Sequence, residues 1–205
     1  MDNRKEIIKA NLNDIGIITD ILGEAFYNDP IIYHLARRAG FARDLFELEF
    51  RDIYASLNCS FLIIDENKEK MGCALWAKPG QTPNLSPLGT IRLVWAILNR
   101  VGTSSLKRFN DISELIDKYH PQEPHYYLHA IGVKNAFRGK GAGSGLLTHV
   151  LDIADNEQMP AYLENSNELN LSLYQKYGFK VIGKENLSNE GPPIWFMYRS
   201  PKILN

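Results

Sequence analysis

The sequence predicts a mixed α/β (α+β) fold in a single domain spanning residues 1–205, and three observations carry that expectation. The chain is 205 residues long with no linker or low-complexity tract to divide it, close to what one large domain accommodates. Strand-like runs and runs of helical period interleave from one end to the other. The second half reads as a strand, a glycine-rich turn and then an amphipathic helix whose apolar stripe suits packing on a sheet.

The elements follow in order. Residues 7–12 read as a short strand, and Asp14 offers an N-cap for a helix carrying Ile17, Ile18, Ile21, Leu22, Ala25 and Phe26 at helical spacing, which must stop before Pro30. Residues 41–57 form a second helix, with Leu45, Phe46, Leu48, Phe50, Ile53, Tyr54 and Leu57 mostly along one side. Residues 60–65 and 70–78 read as an antiparallel hairpin joined by the polar run Glu66-Asn67-Lys68-Glu69. A proline-bearing loop over 81–87 leads into two helices, 91–101 and 104–119, broken at Gly102.

Residues 125–133 are strand-like and aromatic, and the helix beyond the glycines places Leu146, Leu147, Val150, Leu151, Ile153 and Ala154 on one face. A strand at 161–164, a helix at 168–177 and strands near 179–183 and 194–199 complete the chain. The last strand, if exposed, offers an edge for a homodimer.

Lys plus Arg number 23 and Asp plus Glu 24, for a net charge of -1, so no global field recruits nucleic acid or anionic lipid. Cys59 and Cys73 have neither metal-site nor disulfide-scaffold spacing, which points to reduced thiols in a cytoplasm and to no metal centre. The first residues lack the apolar core of a signal peptide, and no apolar run approaches the roughly 20 residues that cross a bilayer. The stretch 86–110 carries Arg92, Arg100, Lys107 and Arg108 without an acid, among Leu93, Trp95, Ile97 and Leu98. It reads either as a solvated helix face or as an interaction surface.

Chemistry concentrates at Arg138-Gly139-Lys140-Gly141-Ala142-Gly143-Ser144-Gly145, between a strand and a helix start. Glycines let the chain turn sharply, and the first turn of a helix offers unpaired N–H groups and a positive dipole end, so the expected guest is a phosphate or pyrophosphate. A Walker loop does not fit, because Lys140 comes too early and is followed by Gly141. A dinucleotide fingerprint does not fit either, because Ser144 and Leu146 stand where its last glycine belongs.

The spacing that fits is Arg/Gln-x-x-Gly-x-Gly/Ala, at Arg138, Gly141 and Gly143, and through it the chain resembles the GNAT family of acetyl-CoA-dependent N-acetyltransferases. Upstream, Tyr127-Leu128-His129-Ala130-Ile131-Gly132-Val133 resembles the family's central strand. Downstream, Glu164-Asn165-Ser166-Asn167 and Leu173-Tyr174-Gln175-Lys176-Tyr177-Gly178-Phe179 resemble its last block. Ala25-Phe26-Tyr27-Asn28-Asp29-Pro30 and Gly191-Pro192-Pro193-Ile194-Trp195-Phe196-Met197 are similar to the small-molecule branch that includes puromycin N-acetyltransferase.

The resemblance implies a mixed, mostly antiparallel sheet flanked by helices, with two central strands splayed into a V, and extra helices inserted before the central strand. It implies that residues 125–200 form the acetyl-CoA-binding core. Backbone groups of Ile131, Gly132 and Val133 would pair with the pantetheine arm, and the turn through Arg138, Gly139, Lys140, Gly141, Ala142, Gly143 and Ser144 would hold the pyrophosphate. Asn167 would meet the pantetheine amides or cap its helix, and Asn170 would lie beside the cofactor. The implied reaction is transfer of an acetyl group to a primary amine of a small molecule, by direct attack.

Such an attack needs a neutral amine, and the departing thiolate benefits from a proton. The family's proton donor falls on Tyr174, with Tyr177 one turn away as its rival. For the base, His129 titrates near neutrality and matches a strand histidine of serotonin N-acetyltransferase, while Tyr127 replaces that enzyme's second histidine. Glu164 is a competing base, with Tyr162 on the same strand face, and bulk water is a third possibility. Glu24, Phe26, Tyr27, Asp29 and Tyr33 are candidates for gripping a cationic amine by charge and aromatic face. Protein or peptide acetylation, and a module that binds acetyl-CoA without catalysis, are the alternative functions.

Overall fold

The computed structural model describes residues 5–188 and 191–203. Seven strands form one sheet in the order β1-β2-β3-β4-β5-β7-β6: β1 (Glu6–Lys9), β2 (Ser60–Ile64), β3 (Lys70–Ala77), β4 (Tyr126–Val133), β5 (Ala161–Asn165), β6 (Lys180–Asn186) and β7 (Pro193–Arg199). Every pairing is antiparallel except that of β4 with β5. This is the mixed, mostly antiparallel sheet the sequence implies.

The parallel pair is short. Tyr126, Tyr127 and Leu128 face Ala161, Tyr162 and Leu163, and there the register ends, although β4 runs on to Val133 and β5 to Asn165. The two strands therefore diverge at the centre of the sheet. The opening leaves one edge of residues 129–133 without a strand partner, while the other edge stays paired to β3.

Helix α7 (Ala142–Asn156) lies on one face, burying Leu146, Leu147, Val150, Leu151 and Ala154 against Phe61, Ile63, Trp76 and Leu128, and the short α8 (Leu171–Lys176) adds Tyr174 to the same core. The opposite face is covered by α1 (Ile15–Ala25) and α3 (Phe41–Glu49), which pack Ile18, Ile21, Leu22, Phe41, Leu45 and Phe46 on Leu62, Leu75 and Ala130. Farther along that face, α2 (Pro30–Ala36) and α6 (Ser104–Tyr119) set Ile31, Leu35 and Ile112 over Tyr127, Tyr162 and Phe196. A last long helix, α5 (Pro87–Arg100), joins α3 to α6.

The structure corrects several sequence-based expectations. Asp14 does not cap α1: Asn11 caps a 3-10 turn at Leu12–Asp14, and Asp14 completes a capping box by accepting from the Asn11 N–H at 3.0 Å. The first helix does stop before Pro30, at Ala25, but Asp29-Pro30 also starts a helix the sequence did not suggest, α2. Pro30 sits in the first turn, where its missing N–H costs nothing, and the Asp29 carboxylate accepts from the Ile31 and Ile32 N–H groups at 3.0 and 2.9 Å. Pro87 opens α5 in the same manner, with Ser86 as its cap.

The helix expected over 41–57 is interrupted by a π-helical turn at Phe50–Tyr54 before its last piece, α4 (Ala55–Leu57). The C-terminal strand is not an exposed edge: β7 lies between β5 and β6, and the edge strands are β1 and β6. Three of the four cations of the 86–110 stretch are engaged within the fold. Arg92 pairs with Asp52 at 2.8 Å, Arg100 pairs with Asp44, and Arg108 donates to the Leu35 carbonyl at 3.0 Å. Among the described residues no helix is long and apolar enough to cross a membrane.

Candidate active site

A cleft of about 930 Å³ runs from the glycine-rich turn to the mouth of the V. Its floor holds Ile131, Gly132 and Val133 at the open edge of β4, and one wall is the turn through Arg138, Gly139, Gly141, Ala142, Gly143 and Ser144. Asn167 and Asn170 close the far side. Gly139 and Gly141 have φ of 73° and 79°, the left-handed region where a side chain is strained, so the turn requires glycine there. No side chain caps α7, whose first-turn N–H groups are left for a guest, with the positive dipole end behind them.

Lys140 lies outside this cleft: its ammonium sits 5.3 Å over the Phe137 ring and its carbonyl accepts from Lys5. Asn167 caps the turn Glu168–Asn170 by accepting from the Leu169 N–H at 3.0 Å, and Asn165, which the sequence reading passed over, clamps the Asn167 backbone from both sides. Uncapped amides, an arginine and an open strand edge together form a donor set that fits a pyrophosphate joined to an amide-bearing arm.

Of the residues expected to grip the acceptor, Phe26 lines both this cleft and a smaller pocket inside the V. Glu24, Phe26, Tyr27 and Asp29 line the same cleft as the glycine-rich turn, and Tyr33 is exposed on α2. Glu24 accepts from the Asn135 N–H at 2.7 Å, tying α1 to the loop after β4. Asp29 is committed to capping α2 and to the Ser166 hydroxyl. Burial lifts its carboxyl above the ordinary aspartate range, against those hydrogen bonds.

Inside the V, a smaller pocket of about 150 Å³ brings His129, Glu164 and Tyr174 together with Phe26, Asn165 and Ser166. His129 is the extra residue of a β-bulge: Leu75 pairs with Ala130 and Trp76 with Leu128, so no residue of β3 faces it. Its Nε2 lies 2.8 Å from Glu49 Oε2, which fixes Nε2 as the protonated nitrogen and leaves the lone pair on Nδ1, 3.4 Å from the Tyr127 hydroxyl. Tyr54 stacks on the imidazole at 4.6 Å and 17°. Both Glu49 and Tyr54 are aimed by the π turn, which shifts the helical phase between them.

Burial alone would depress the imidazole pKa, but the charge and hydrogen bond of Glu49, with Glu164 adding its field, overcome it and raise His129 above the ordinary histidine value. Glu164 is about one-tenth exposed, and its Oε1 is buried without a hydrogen-bond partner, as is the Tyr162 hydroxyl. The His120 Nδ1 stands 3.9 Å from that oxygen.

Tyr174 sits across the pocket, buried edge-on against Phe179 at 6.0 Å, and burial holds its phenol up at about 12. Tyr177 is differently placed. Ser144 and then Thr148 on α7 bond its hydroxyl, which pulls it below the usual phenol range. Glu49 carried no signal in the sequence, because no local motif links it to a histidine 80 residues away.

Known proteins share this architecture. The profile of the acetyltransferase (GNAT) family matches residues 30–179. An uncharacterized N-acetyltransferase of Schizosaccharomyces pombe is 26% identical over 195 residues, covering 88% of this chain and 77% of its own length. A crystal structure described as histone acetyltransferase HPA2 and related acetyltransferase from Corynebacterium glutamicum superposes with a TM-score of 0.74 at 28% identity over 98% of both chains. Arylalkylamine N-acetyltransferase 2 from Aedes aegypti shares the fold at a TM-score of 0.69 and 15% identity, over 98% of this chain and all of its own. With a splayed parallel pair, an uncapped helix behind a glycine turn and a family profile over most of its length, the chain belongs to the GNAT acetyltransferase family and is an acetyl-CoA-dependent acyltransferase.

Proposed function

We propose that this protein transfers the acetyl group of acetyl-CoA to a primary amine of a small molecule, by direct attack in a ternary complex. The observation that carries the reading is the convergence of His129, Glu164 and Tyr174 on one pocket at the divergence of β4 and β5. Acetyl-CoA supplies an activated thioester.

The chain's own residues do the rest. First-turn amides of α7 and Arg138 take the pyrophosphate, and the open edge of β4 at Ile131, Gly132 and Val133 pairs with the pantetheine amides as an added strand would. His129, oriented by Glu49, accepts the proton of the attacking amine at Nδ1. Glu164 draws the ammonium form into the pocket. Tyr174 holds its proton at neutral pH and donates a hydrogen bond to the departing sulfur.

The first test is cofactor binding. Acetyl-CoA at saturation is expected to raise the melting temperature, and Gly141→Val, which forces a branched side chain into a left-handed backbone position, is expected to abolish that rise. No rise with the unmodified protein refutes the reading.

A further inference from the structure

The pocket in the V is lined by one carboxylate and by no lysine or arginine. That carboxylate is Glu164, and Glu49 stands behind His129. The fields of both carboxylates reach Tyr54 and His129, so they converge on the place where an amine must lose its proton. If His129 is protonated it balances Glu49, and the negative charge of Glu164 still remains. If His129 is neutral, both carboxylates stand unbalanced. Among the described residues, the cationic side chains within 4 Å of either carboxylate are the imidazoles of His129 and His120.

The walls define the rest of the guest. Around Glu164 the pocket is lined by apolar Leu128 and Leu163 and by the uncharged polar side chains of Asn165, Ser166 and Asn170, while His120, edge-on to Tyr127 and Tyr162 at 5.1 Å each, stands 3.9 Å from its carboxylate. Helices α2 and α6 close this side of the sheet. Tyr119, the last residue of α6, stacks on Phe196 at 4.1 Å and donates to Glu185 at 2.8 Å, while Lys118 pairs with the same carboxylate.

We infer that the acceptor is a small primary amine with no carboxylate on the carbon that bears its nitrogen, and that Glu164 and Glu49 exclude the corresponding α-amino acid. This rests on the acetyltransferase reading above. An α-carboxylate carbon lies about 2.5 Å from the nitrogen it accompanies, so whatever brings the nitrogen to Glu164 brings a like charge with it. Like charges forced together in a desolvated site are strongly disfavoured; no lysine or arginine lines the pocket, and a protonated His129 is already matched by Glu49.

The test is thiol release from acetyl-CoA with matched acceptors: tyramine, histamine, cadaverine and isoamylamine against tyrosine, histidine, lysine and leucine, each amino acid also as its methyl ester. At least one amine is expected to exceed its amino acid in kcat/KM by roughly a hundredfold or more. Its methyl ester, which keeps the bulk and loses the charge, is expected to recover to within about tenfold of the amine. Amino acids acetylated as well as their amines, esters no better than acids, or a tetrapeptide N-terminus acetylated faster than every amine each overturn the inference. So does turnover of none of the amines by protein that acetyl-CoA stabilises. Absence of that stabilisation is the separate failure of the acetyltransferase reading.

Discussion

Tyr174→Phe removes one hydroxyl from the pocket and leaves the ring against Phe179. The size of its effect follows from the environment of that hydroxyl. Burial holds the phenol at about 12, while an ordinary thiol ionises near 8.5, so complete proton transfer from Tyr174 to a departing thiolate runs uphill by about 3.5 pH units, or about 5 kcal/mol. In the proposed reaction Tyr174 is therefore expected to serve as a hydrogen-bond donor to developing negative charge rather than as a full acid. One such bond to a charged group contributes about 1.5–3 kcal/mol, which sets the expected fall in kcat at roughly 10- to 150-fold. Saturating acetyl-CoA should raise the melting temperature of the variant as it does that of the parent. The assay is steady-state thiol release at fixed pH with both substrates varied. A variant within twofold of the parent removes Tyr174 from the reaction, and a loss beyond about ten-thousandfold shows that the proton is fully transferred after all.

Two further outcomes follow from the charged pairs. Glu49→Gln removes the group that raises His129, so burial acts with only Glu164 to oppose it and the acid limb of the kcat/KM profile moves to lower pH, with the KM for acetyl-CoA unchanged; an unmoved limb refutes the dyad. Asp155 and Arg199 are 7% and 2% exposed and share two hydrogen bonds of 2.7 and 2.6 Å, so Asp155→Asn, which leaves a buried guanidinium unbalanced, is expected to cost about 3–5 kcal/mol in urea unfolding at pH 7. Burial opposes ionisation of Asp155, but the bonds from Arg199 and the Lys202 N–H overcome it and depress its pKa. The pair's contribution is therefore complete above about pH 4 and is lost as the pH falls through the depressed value, so the penalty should shrink in acid. A penalty that does not change with pH contradicts this account.

The second half of the fold was legible because its signals are local. A glycine turn, the helix it opens and the strand before it lie within about thirty consecutive residues, and backbone conformation at Gly139 and Gly141 dictates the residue type directly. Tyr174 was legible for the same reason, from its distance to Gly178-Phe179. The failures have a common cause. Asp29-Pro30 signals a break when read from the left and a helix start when read from the right, and the cap bonds at Ile31 and Ile32 decide between them. Glu49 reaches His129 across α4, α5, α6 and two strands of intervening chain, and the π turn that aims it has no sequence signature. The bulge at His129 arises from a register shift against β3, which alternation along β4 alone does not reveal.

The position of β7 has a consequence for how the polypeptide becomes competent as it leaves the ribosome. Strand β6 has one neighbour in the sheet, and that neighbour is made after it. Until residues 193–199 emerge, β5 lacks its antiparallel neighbour, Arg199 is not there to meet Asp155, and the Tyr177 carbonyl lacks the Arg199 Nε–H that donates to it at 2.8 Å. The half of the sheet that carries the phenol therefore lacks these partners for as long as the final strand is still to come.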